Sequence, residues 1–284
     1  LKLIEPAFED LFQRLAINEE TLTFQRSVDR ETDIRVFSKE IPAKKKLFSS
    51  AQTATPCLLC VDGNSILNRT FYGIRPLTTR TGIPTNALYG FVNILSRQLQ
   101  TLQPAYTVCA FDRKAPTFRH KAYEAYKAGR HETPQELLTQ FPFAKQCAQA
   151  LGFHVIEMDG YEADDVLGTC ANMAEKENVH TYLLTGDRDA LQLISDKTTV
   201  LLATNRDTLS FTPETFRETY GIAPAQFVDV KALMGDSSDN IPGVRGIGEK
   251  TALKLIGTYH SLSALYENLE DKEIAKGVKE KLTT

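Results

Sequence analysis

Three aspartates follow apolar runs of the sequence, two of them directly and the third after one intervening glycine. They are Asp62, Asp112 and Asp187, and the runs before them are residues 57–61, 106–111 and 180–185. Helical patterns separate these runs, which is typical of strands in a parallel sheet. Ligands of open α/β sheets bind outside the carboxyl ends of the strands, and parallel strands bring those ends to one edge. We therefore expect the three carboxylates to lie close together.

Short acidic motifs supply further carboxylates that could join this group. The motifs are GYEADD at 160–165, DRD at 187–189 and GDSSDN at 235–240, and they add Glu162, Asp164, Asp165, Asp189, Asp236 and Asp239. In an ideal helix Glu162 and Asp165 share a face, because they are three positions apart. Asp164 is rotated away from that face unless the helix begins late. The alternative is that acids such as Asp164 only cap helix N-termini.

Converging carboxylates need cations to be tolerated. Two like charges about 4 Å apart repel by about 4 kcal/mol at an effective dielectric constant of about 20. The net stability of a domain is only about 5–15 kcal/mol. Oxygen ligands without a matching His or Cys cluster suit Mg²⁺ or Mn²⁺ better than zinc. The carboxylates are too many for one ion that keeps its waters, so we expect two metal ions, a known arrangement for displacement at phosphorus.

A basic segment follows the second aspartate. Residues 113–131 carry six Lys and Arg residues against one Glu, with Phe118, Tyr123 and Tyr126 interleaved. Cations alternating with aromatic rings suit single-stranded nucleic acid, through phosphate neutralisation and base stacking. The segment could instead be a solvated helix, but its place beside Asp112 favours a role in admitting a polyanion to an acidic site.

A glycine-rich loop, GVRGIGEKT, spans residues 243–251. It is not a nucleotide-binding P-loop, because Glu249 separates Gly248 from Lys250 and no strand precedes it. Helical patterns at 224–234 and 249–257 flank the loop. Glycines allow close approach of the backbone to a phosphate, and the following helix N-terminus points its N–H groups outward. This helix–hairpin–helix pattern suits sequence-independent binding of duplex backbone.

The order of elements predicts an α/β fold with a mostly parallel central sheet flanked by helices, followed by a helical subdomain. We assign residues 57–212 to the α/β catalytic domain, with an arch at about 113–131, and 213–284 to the helical duplex-binding subdomain. Residues 1–56 lack a catalytic motif and read as an N-terminal appendage or linker of unassigned role. Because Leu1 rather than Met opens the chain, we expect a fragment or a processed product.

Composition excludes several classes of protein. The 284 residues are 42% hydrophobic and 24% charged, which favours a folded core over disorder. The formal charge of −3 argues against a uniformly basic nucleic-acid binder. No run approaches the roughly 18 apolar residues of a membrane span, and no secretory signal opens the chain. Five cysteines, an odd number in mostly apolar segments, favour reduced thiols in a cytoplasmic protein.

Residues 57–282 resemble the 5′-nuclease superfamily, and most closely the N-terminal 5′→3′ exonuclease (flap endonuclease) domain of bacterial DNA polymerase I. Five motifs carry the resemblance, in the family's order: VDGNS (61–65), FDRKAPTFRHKAYEAYKAGR (111–130), GYEADDVLG (160–168), TGDRDALQL (185–193) and MGDSSDNIPGVRGIGEKTA (234–252). The resemblance implies a PIN-like fold and a helix–three-turn–helix element. It also implies two-metal, Mg²⁺-dependent phosphodiester hydrolysis that leaves 5′-phosphate and 3′-hydroxyl ends. It does not extend to residues 1–56.

The resemblance also implies roles for individual residues. One metal ion would be held by Asp62, Asp112, Glu162 and Asp164, and the other by Asp187, Asp189 and Asp239, with Asp165 and Asp236 close by as ligands or outer groups. Lys127 and Arg130 match cations that steer the scissile phosphate, and we group Asp165 with them as catalytic. The expected DNA-binding positions are Arg119, Tyr123, Tyr126, Gly243, Arg245, Gly246, Gly248, Lys250 and Thr251.

The expected partners are DNA with a 5′ flap, a nick or an RNA primer, and a covalently linked polymerase domain. The family implies a monomer at the bacterial nucleoid, acting in primer removal and excision repair, with Mn²⁺ able to replace Mg²⁺ and often K⁺ at the 243–251 loop. One competing hypothesis is a structure-specific DNA-binding module without catalysis, which the complete acidic set argues against. Another is a metal-dependent ribonuclease of the related toxin type, whose pattern requires neither the arch nor the glycine loop.

Overall fold

A computed structural model describes residues 56–204 and 207–283 of the chain. The interpretation of residues 1–56 as an appendage therefore lies, except for Pro56, outside the described residues. The proposed division at residues 212 and 213 remains a prediction.

Within the described residues the strands form one six-stranded sheet with the order β3-β2-β1-β4-β5-β6. The strands are β1 (Cys57–Asp62), β2 (Tyr106–Phe111), β3 (His154–Glu157), β4 (His180–Thr185), β5 (Thr198–Ala203) and β6 (Thr208–Phe211). Strands β1 to β5 pair in parallel, and β6 pairs antiparallel with β5. The predicted mostly parallel α/β fold is confirmed.

Helices cover the sheet and form the carboxyl-terminal part of the chain. The α-helices are α1 (Gly63–Gly73), α2 (Asn86–Leu102), α3 (Phe118–Ala122), α4 (Gln135–Leu138), α5 (Phe141–Ala150), α6 (Ala163–Lys176), α7 (Pro213–Tyr220), α8 (Phe227–Met234), α9 (Glu249–Tyr259), α10 (Leu262–Glu267) and α11 (Lys276–Thr283), and 3-10 turns lie at Arg188–Leu193 and Pro224–Gln226. None of these helices is long and apolar enough to cross a membrane. All five cysteines are free thiols, as expected.

The two faces of the sheet bury different layers of helices. Leu59 and Val61 of β1 point into a core shared with α1, α2 and α5, where Phe91 and Phe111 are fully buried. The alternate residue Cys60 faces the opposite side, where it meets Cys170 of α6. This period of two places apolar side chains on both faces of each central strand, as parallel sheets require. The sheet is therefore a rigid base for the residues that follow its strand ends.

Three elements differ from the sequence expectation. The apolar pattern after Pro134 predicts a single helix to about Leu151. The structure divides it into α4 and α5, because Pro142 in the first turn of α5 cannot donate to a preceding carbonyl. Helix α1 was not predicted, since its polar residues obscure the apolar period. Strand β6 was missed because it is a short edge strand with a half-exposed Leu209. In segment 113–131, only α3 is helical.

The crossing of α1 and α2 makes the fold sensitive to a methyl group at Gly90. A Cβ atom there would lie 2.7 Å from Cβ of Thr70, and Thr70 is fixed by hydrogen bonds to carbonyls of both helices. We expect Gly90→Ala to lower the free energy of unfolding by about 1–3 kcal/mol through overpacking, measured by urea denaturation. Gly73→Ala is the matched control, because a Cβ at the end of α1 meets nothing within 4 Å. Equal stability of Gly90→Ala and wild type would contradict this packing.

Candidate active site

The carboxylate of Asp62 lies at the centre of the acidic group. It ends the middle strand β1 and caps α1, so that Oδ1 accepts from the Ser65 amide at 2.9 Å. Its Oδ2 accepts from the Thr185 hydroxyl of the neighbouring strand at 3.0 Å. Burial above all, together with the nearby charges of Asp112 and Asp187, raises the pKa of Asp62 to about 7, although the two hydrogen bonds act in the opposite direction. The three strand-end aspartates therefore lie close enough to influence one another.

Asp112 joins the end of β2 to the start of α6. Its Oδ1 accepts from the Ala163 amide at 2.7 Å, and its own amide donates to Asn64 Oδ1 at 3.0 Å. Burial raises the pKa of Asp112, while Lys127 and Arg130 act in the opposite direction. The contact with Ala163 brings the first turn of α6 into the acidic group.

The late start of α6 turns Asp164 into this group. Glu162 is the residue before the helix, and Asp165 folds back to accept from the Glu162 amide at 2.9 Å. Asp164 Oδ1 is buried and has no hydrogen-bond partner among the described residues. Burial raises the pKa of Asp164 strongly, and the charges of Asp62 and Asp187 add to the effect. The sequence indicated that Asp164 would face this group only if the helix began late, and the helix does begin late, at Ala163.

Asp187 and Asp189 form a second acidic loop after β4. Asp187 begins the 3-10 turn and accepts from the Asp189 amide at 2.9 Å. Lys231 of α8 was not predicted, yet its ammonium lies 2.8 Å from Asp189 Oδ1 and 2.6 Å from Asp236 Oδ2. Burial opposes ionisation of Asp236, but hydrogen bonds from Lys231 and Ser238 lower its pKa to about 2. The only sequence signal was a lone lysine in an apolar helix shortly before GDSSDN.

The basic segment contacts these acids directly. Arg119 makes two hydrogen bonds to Asp165, at 2.7 and 2.8 Å, and Asp165 therefore faces this cation. Lys127 Nζ lies 2.7 Å from Glu162 Oε1, and Arg130 pairs with Asp239. The pairs explain how the acidic edge and the basic segment fold against each other without added ions.

Hydrogen bonds to the backbone also hold the basic segment against the 235–240 loop. The Lys127 amide donates to the Asp239 carbonyl at 2.8 Å, and the Asn240 side chain donates to the Ala125 carbonyl at 2.8 Å. Lys127 and Asn240 have φ values of 58° and 55°. Left-handed backbone at a residue other than glycine costs about 1–2 kcal/mol. The contacts between the segment and the 235–240 loop offset that cost.

The aromatic residues of the basic segment differ in exposure. Phe118 and Tyr123 are 47% and 41% exposed, so their rings are accessible. Tyr126 is only 5% exposed, and its hydroxyl lies among the carboxylates. The expectation that Tyr126 stacks on bases needs correction, because its buried ring is not presented to a ligand in this structure.

The glycine loop lies between α8 and α9, as the flanking patterns predicted. Gly246 has φ of 81°, and its carbonyl accepts from Lys281 Nζ of α11 at 3.0 Å. A Cβ atom at Gly243 would clash with the backbone of Gly235, so the loop is packed on the GDSSDN turn. The other expected DNA-binding positions stand on or beside its outer surface: Arg245, Gly248 and Lys250 are exposed and Thr251 is half-buried in the first turn of α9. Their contact with DNA stays a prediction.

An ion pair joins the glycine loop to the second acidic loop. Arg188, between Asp187 and Asp189, pairs with Glu249 at the start of α9 and donates to the Tyr220 hydroxyl at 3.3 Å. A 320 Å³ cavity lies beside this contact, lined by Asp187, Asp189 and Lys231 among other residues. The cavity is part of the acidic site rather than a separate one.

The donors fit hard divalent cations by their chemistry. They are carboxylate oxygens that converge from separate elements, and Asp164 Oδ1 is buried without a partner in residues 56–204 and 207–283. As the side chains stand in the described residues, no three His, Cys, Asp or Glu groups form a ready metal shell. Lys127, Arg130 and Lys231 contact several of the acids instead. Metal binding would therefore require these side chains to adjust.

Comparisons with known proteins agree with the observed fold. Residues 57–221 match the family described as 5′-3′ exonuclease, N-terminal resolvase-like domain, and residues 222–284 match 5′-3′ exonuclease, C-terminal SAM fold. The chain is 44% identical over 227 residues to DNA polymerase I of Bacillus subtilis. It is 48% identical over 225 residues to the thermostable DNA polymerase I of Thermus thermophilus. Each match covers 79% of this chain but only 26% of the relative.

A solved structure of T5 5′-exonuclease with bound zinc has the same fold. The TM-score is 0.64 with 23% sequence identity, and the match covers 79% of this chain and 83% of the T5 chain. At this level of identity the likeness concerns architecture.

The raised pKa values predict how stability depends on pH. Asp62, Asp112 and Asp164 have higher pKa values in the folded than in the unfolded protein, so the folded state binds more protons above about pH 4. In the absence of metal, the free energy of unfolding should fall as pH rises from about 4 through 7, the folded pKa of Asp62, by up to about 1.4 kcal/mol per pH unit for each extra proton that the folded state holds. Saturating Mg²⁺ should stabilise the protein most at pH 8. Urea denaturation across this range measures both effects.

Asp164→Asn serves as the test variant for this prediction. Without metal it should be more stable than wild type at pH 8 and less dependent on pH, and Mg²⁺ should stabilise it less. Asp159→Asn is the control, because Asp159 is an exposed partner of Arg113. A wild-type stability that does not vary with pH, or equal behaviour of the two variants, would contradict the raised pKa values.

Proposed function

We infer the function of this chain from the fact that it belongs to the 5′-3′ exonuclease family. We propose a divalent-metal-dependent nuclease that degrades DNA from 5′ ends and cuts at 5′ flaps. The observation that carries the proposal is the buried Asp164 Oδ1, which has no partner in the described parts of the chain and lies among strand-end carboxylates beside a cationic segment. An acidic pocket alone would repel DNA, and a basic surface alone would not hold divalent ions.

Two sets of carboxylates would hold the metal ions. The first is Asp62, Asp112, Glu162 and Asp164, and the second is Asp187, Asp189 and Asp239, with Asp165 and Asp236 as nearby partners. When bound, two Mg²⁺ ions would supply an activated water and would stabilise charge on the phosphate oxygens. The convergent carboxylate oxygens support Mg²⁺, with Mn²⁺ as a substitute.

Lys127 and Arg130 would steer the scissile phosphate to this site. Each already reaches a carboxylate of a different set, Glu162 and Asp239 respectively. When these cations exchange a carboxylate for a phosphate oxygen, they bring the phosphate to the acidic edge. Their charges would also stabilise the negative charge that develops on the phosphate in the transition state.

The surfaces on either side support a path for flap DNA. The exposed rings of Phe118 and Tyr123 would stack on bases of the 5′ single strand. The exposed Arg245 and Lys250 of the glycine loop would neutralise phosphates of the duplex. The N-terminus of α9 adds backbone N–H groups that suit a phosphate oxygen. We also propose K⁺ at the 243–251 loop, because the family resemblance implies it.

The wider role follows from the relatives. They are DNA polymerases I, and this chain corresponds to about a quarter of their length. We propose a covalently linked polymerase domain in the complete protein, and removal of 5′ flaps and RNA primers in replication and excision repair. The protein would act as a monomer in the cytoplasm.

A non-catalytic DNA-binding module is the alternative. It would use the same basic segment and glycine loop, but it would have no use for an acidic group that destabilises the folded state. Cleavage of a flap substrate separates the two functions.

The test uses a duplex with a 5′-labelled flap. In Mg²⁺ the chain should release fragments with 5′-phosphate and 3′-hydroxyl ends, and chelation should stop the reaction. Asp187→Asn should abolish cleavage but keep flap binding, because it removes a metal ligand and leaves the cationic surfaces intact. Asp159→Asn is the control for a change of charge. Wild-type turnover in Asp187→Asn would refute the metal role, and cleavage of single-stranded RNA in preference to the flap would favour a ribonuclease.

A further inference from the structure

The hydroxyl of Tyr126 lies between two carboxylates that come from different parts of the chain. It is 3.0 Å from Oε2 of Glu162 and 2.9 Å from Oδ2 of Asp239. Glu162 precedes α6, whereas Asp239 belongs to the GDSSDN turn after α8. One hydroxyl proton thus serves two acceptors at nearly equal distances.

Tyr126 contacts one oxygen of each carboxylate, and Lys127 and Arg130 of the same segment contact the other. Arg119 also lies 3.7 Å from the Glu162 oxygen that Tyr126 contacts. Lys127 Nζ contacts Oε1 of Glu162, and Arg130 contacts Oδ1 of Asp239. Both cations have flexible stems, whereas the phenol has a rigid ring and a fixed reach. A divalent ion could therefore displace Lys127 and Arg130 from the carboxylates more easily than it could displace Tyr126.

The ring of Tyr126 is held in place by its surroundings. It is 5% exposed and packs edge to face against His120, with ring centroids 5.1 Å apart. His120 in turn contacts the Thr117 hydroxyl at 2.9 Å, within the cap of α3. The phenol is thus fixed in direction before any ligand binds.

We propose that Tyr126 is a positioning residue that holds Glu162 and Asp239 in register across the two proposed metal sets. This inference rests on the proposed function and assigns Tyr126 to the carboxylates rather than to base stacking. The hydroxyl orients one oxygen of each carboxylate, so that the other is free for a divalent ion once Lys127 and Arg130 move away. Partners of metal ligands act in this way in many metal sites.

Tyr126→Phe tests the proposal because it keeps the ring and removes only the hydroxyl. Calorimetric titration of the full chain with Mn²⁺ should show an affinity about 10–100-fold weaker than wild type. Turnover of flap DNA should fall at low Mg²⁺ and recover at high Mg²⁺, while KM for DNA stays unchanged. Tyr89→Phe is the matched control, because Tyr89 is an exposed tyrosine of α2, outside the basic segment and the acidic group, and it should keep the wild-type affinity for Mn²⁺.

The outcomes separate this inference from the function on which it rests. If wild type binds Mn²⁺ and Tyr126→Phe binds it equally well, the positioning role is wrong and the nuclease proposal stands. If Tyr126→Phe raised KM for DNA and left the Mn²⁺ affinity unchanged, Tyr126 would be a DNA-binding residue and the positioning role would be wrong. If wild type itself binds no Mn²⁺, both proposals fall.

A measurement on the wild-type protein covers the case in which Tyr126→Phe does not fold. With tyrosine labelled with carbon-13 at Cζ, NMR should show a slowly exchanging hydroxyl whose Cζ shift moves with Mg²⁺ and saturates with metal binding. Tyr259, which donates to Asp271 at 2.9 Å, is the internal reference and should not respond. If no tyrosine signal followed the metal titration, the proposal would be overturned.

Discussion

Mutual repulsion among buried carboxylates is the constraint on which the rest of this structure depends. The parallel sheet brings Asp62, Asp112 and Asp187 to one edge, and the first turn of α6 adds Asp164. Burial and like charges raise the pKa values of several of these groups. A fold that keeps such an arrangement gives up stability at that edge. The loss is understandable if the site exists to hold cations, since active sites often trade stability for function.

Lysine and arginine side chains of the same chain reduce this repulsion by pairing with particular carboxylates. The ammonium of Lys231 contacts both Asp189 and Asp236, and the basic segment brings Lys127 and Arg130 to Glu162 and Asp239. By contrast, Asp164 Oδ1 has no partner within the described part of the chain. The total charge is therefore near neutral although an acidic group and a basic segment of opposite charge lie in contact with each other. The same cations that now contact carboxylates are suited to contact phosphates, which links the packing of the segment to the proposed chemistry.

Sequence patterns predicted the elements with strong periodicity and failed where contacts between distant residues decide. The apolar runs before Asp62, Asp112 and Asp187 gave the strands because buried parallel strands have few polar interruptions. The orientation of Asp164 could only be stated as a condition, since it depends on the residue at which α6 begins. The contacts of Lys231 with the acids and the burial of Tyr126 could not be predicted, because both depend on how α8 and the basic segment pack against the acidic edge. The break between α4 and α5 could have been found from Pro142.

Anomalous scattering from crystals grown with Mn²⁺ would show whether the carboxylates hold divalent ions. We expect one peak among Asp62, Asp112, Glu162 and Asp164, and a second beside Asp187, Asp189 and Asp239. Lys127 and Arg130 should then have left Glu162 and Asp239. Anomalous peaks confined to other surfaces, with Lys127 and Arg130 still paired to those carboxylates, would contradict it.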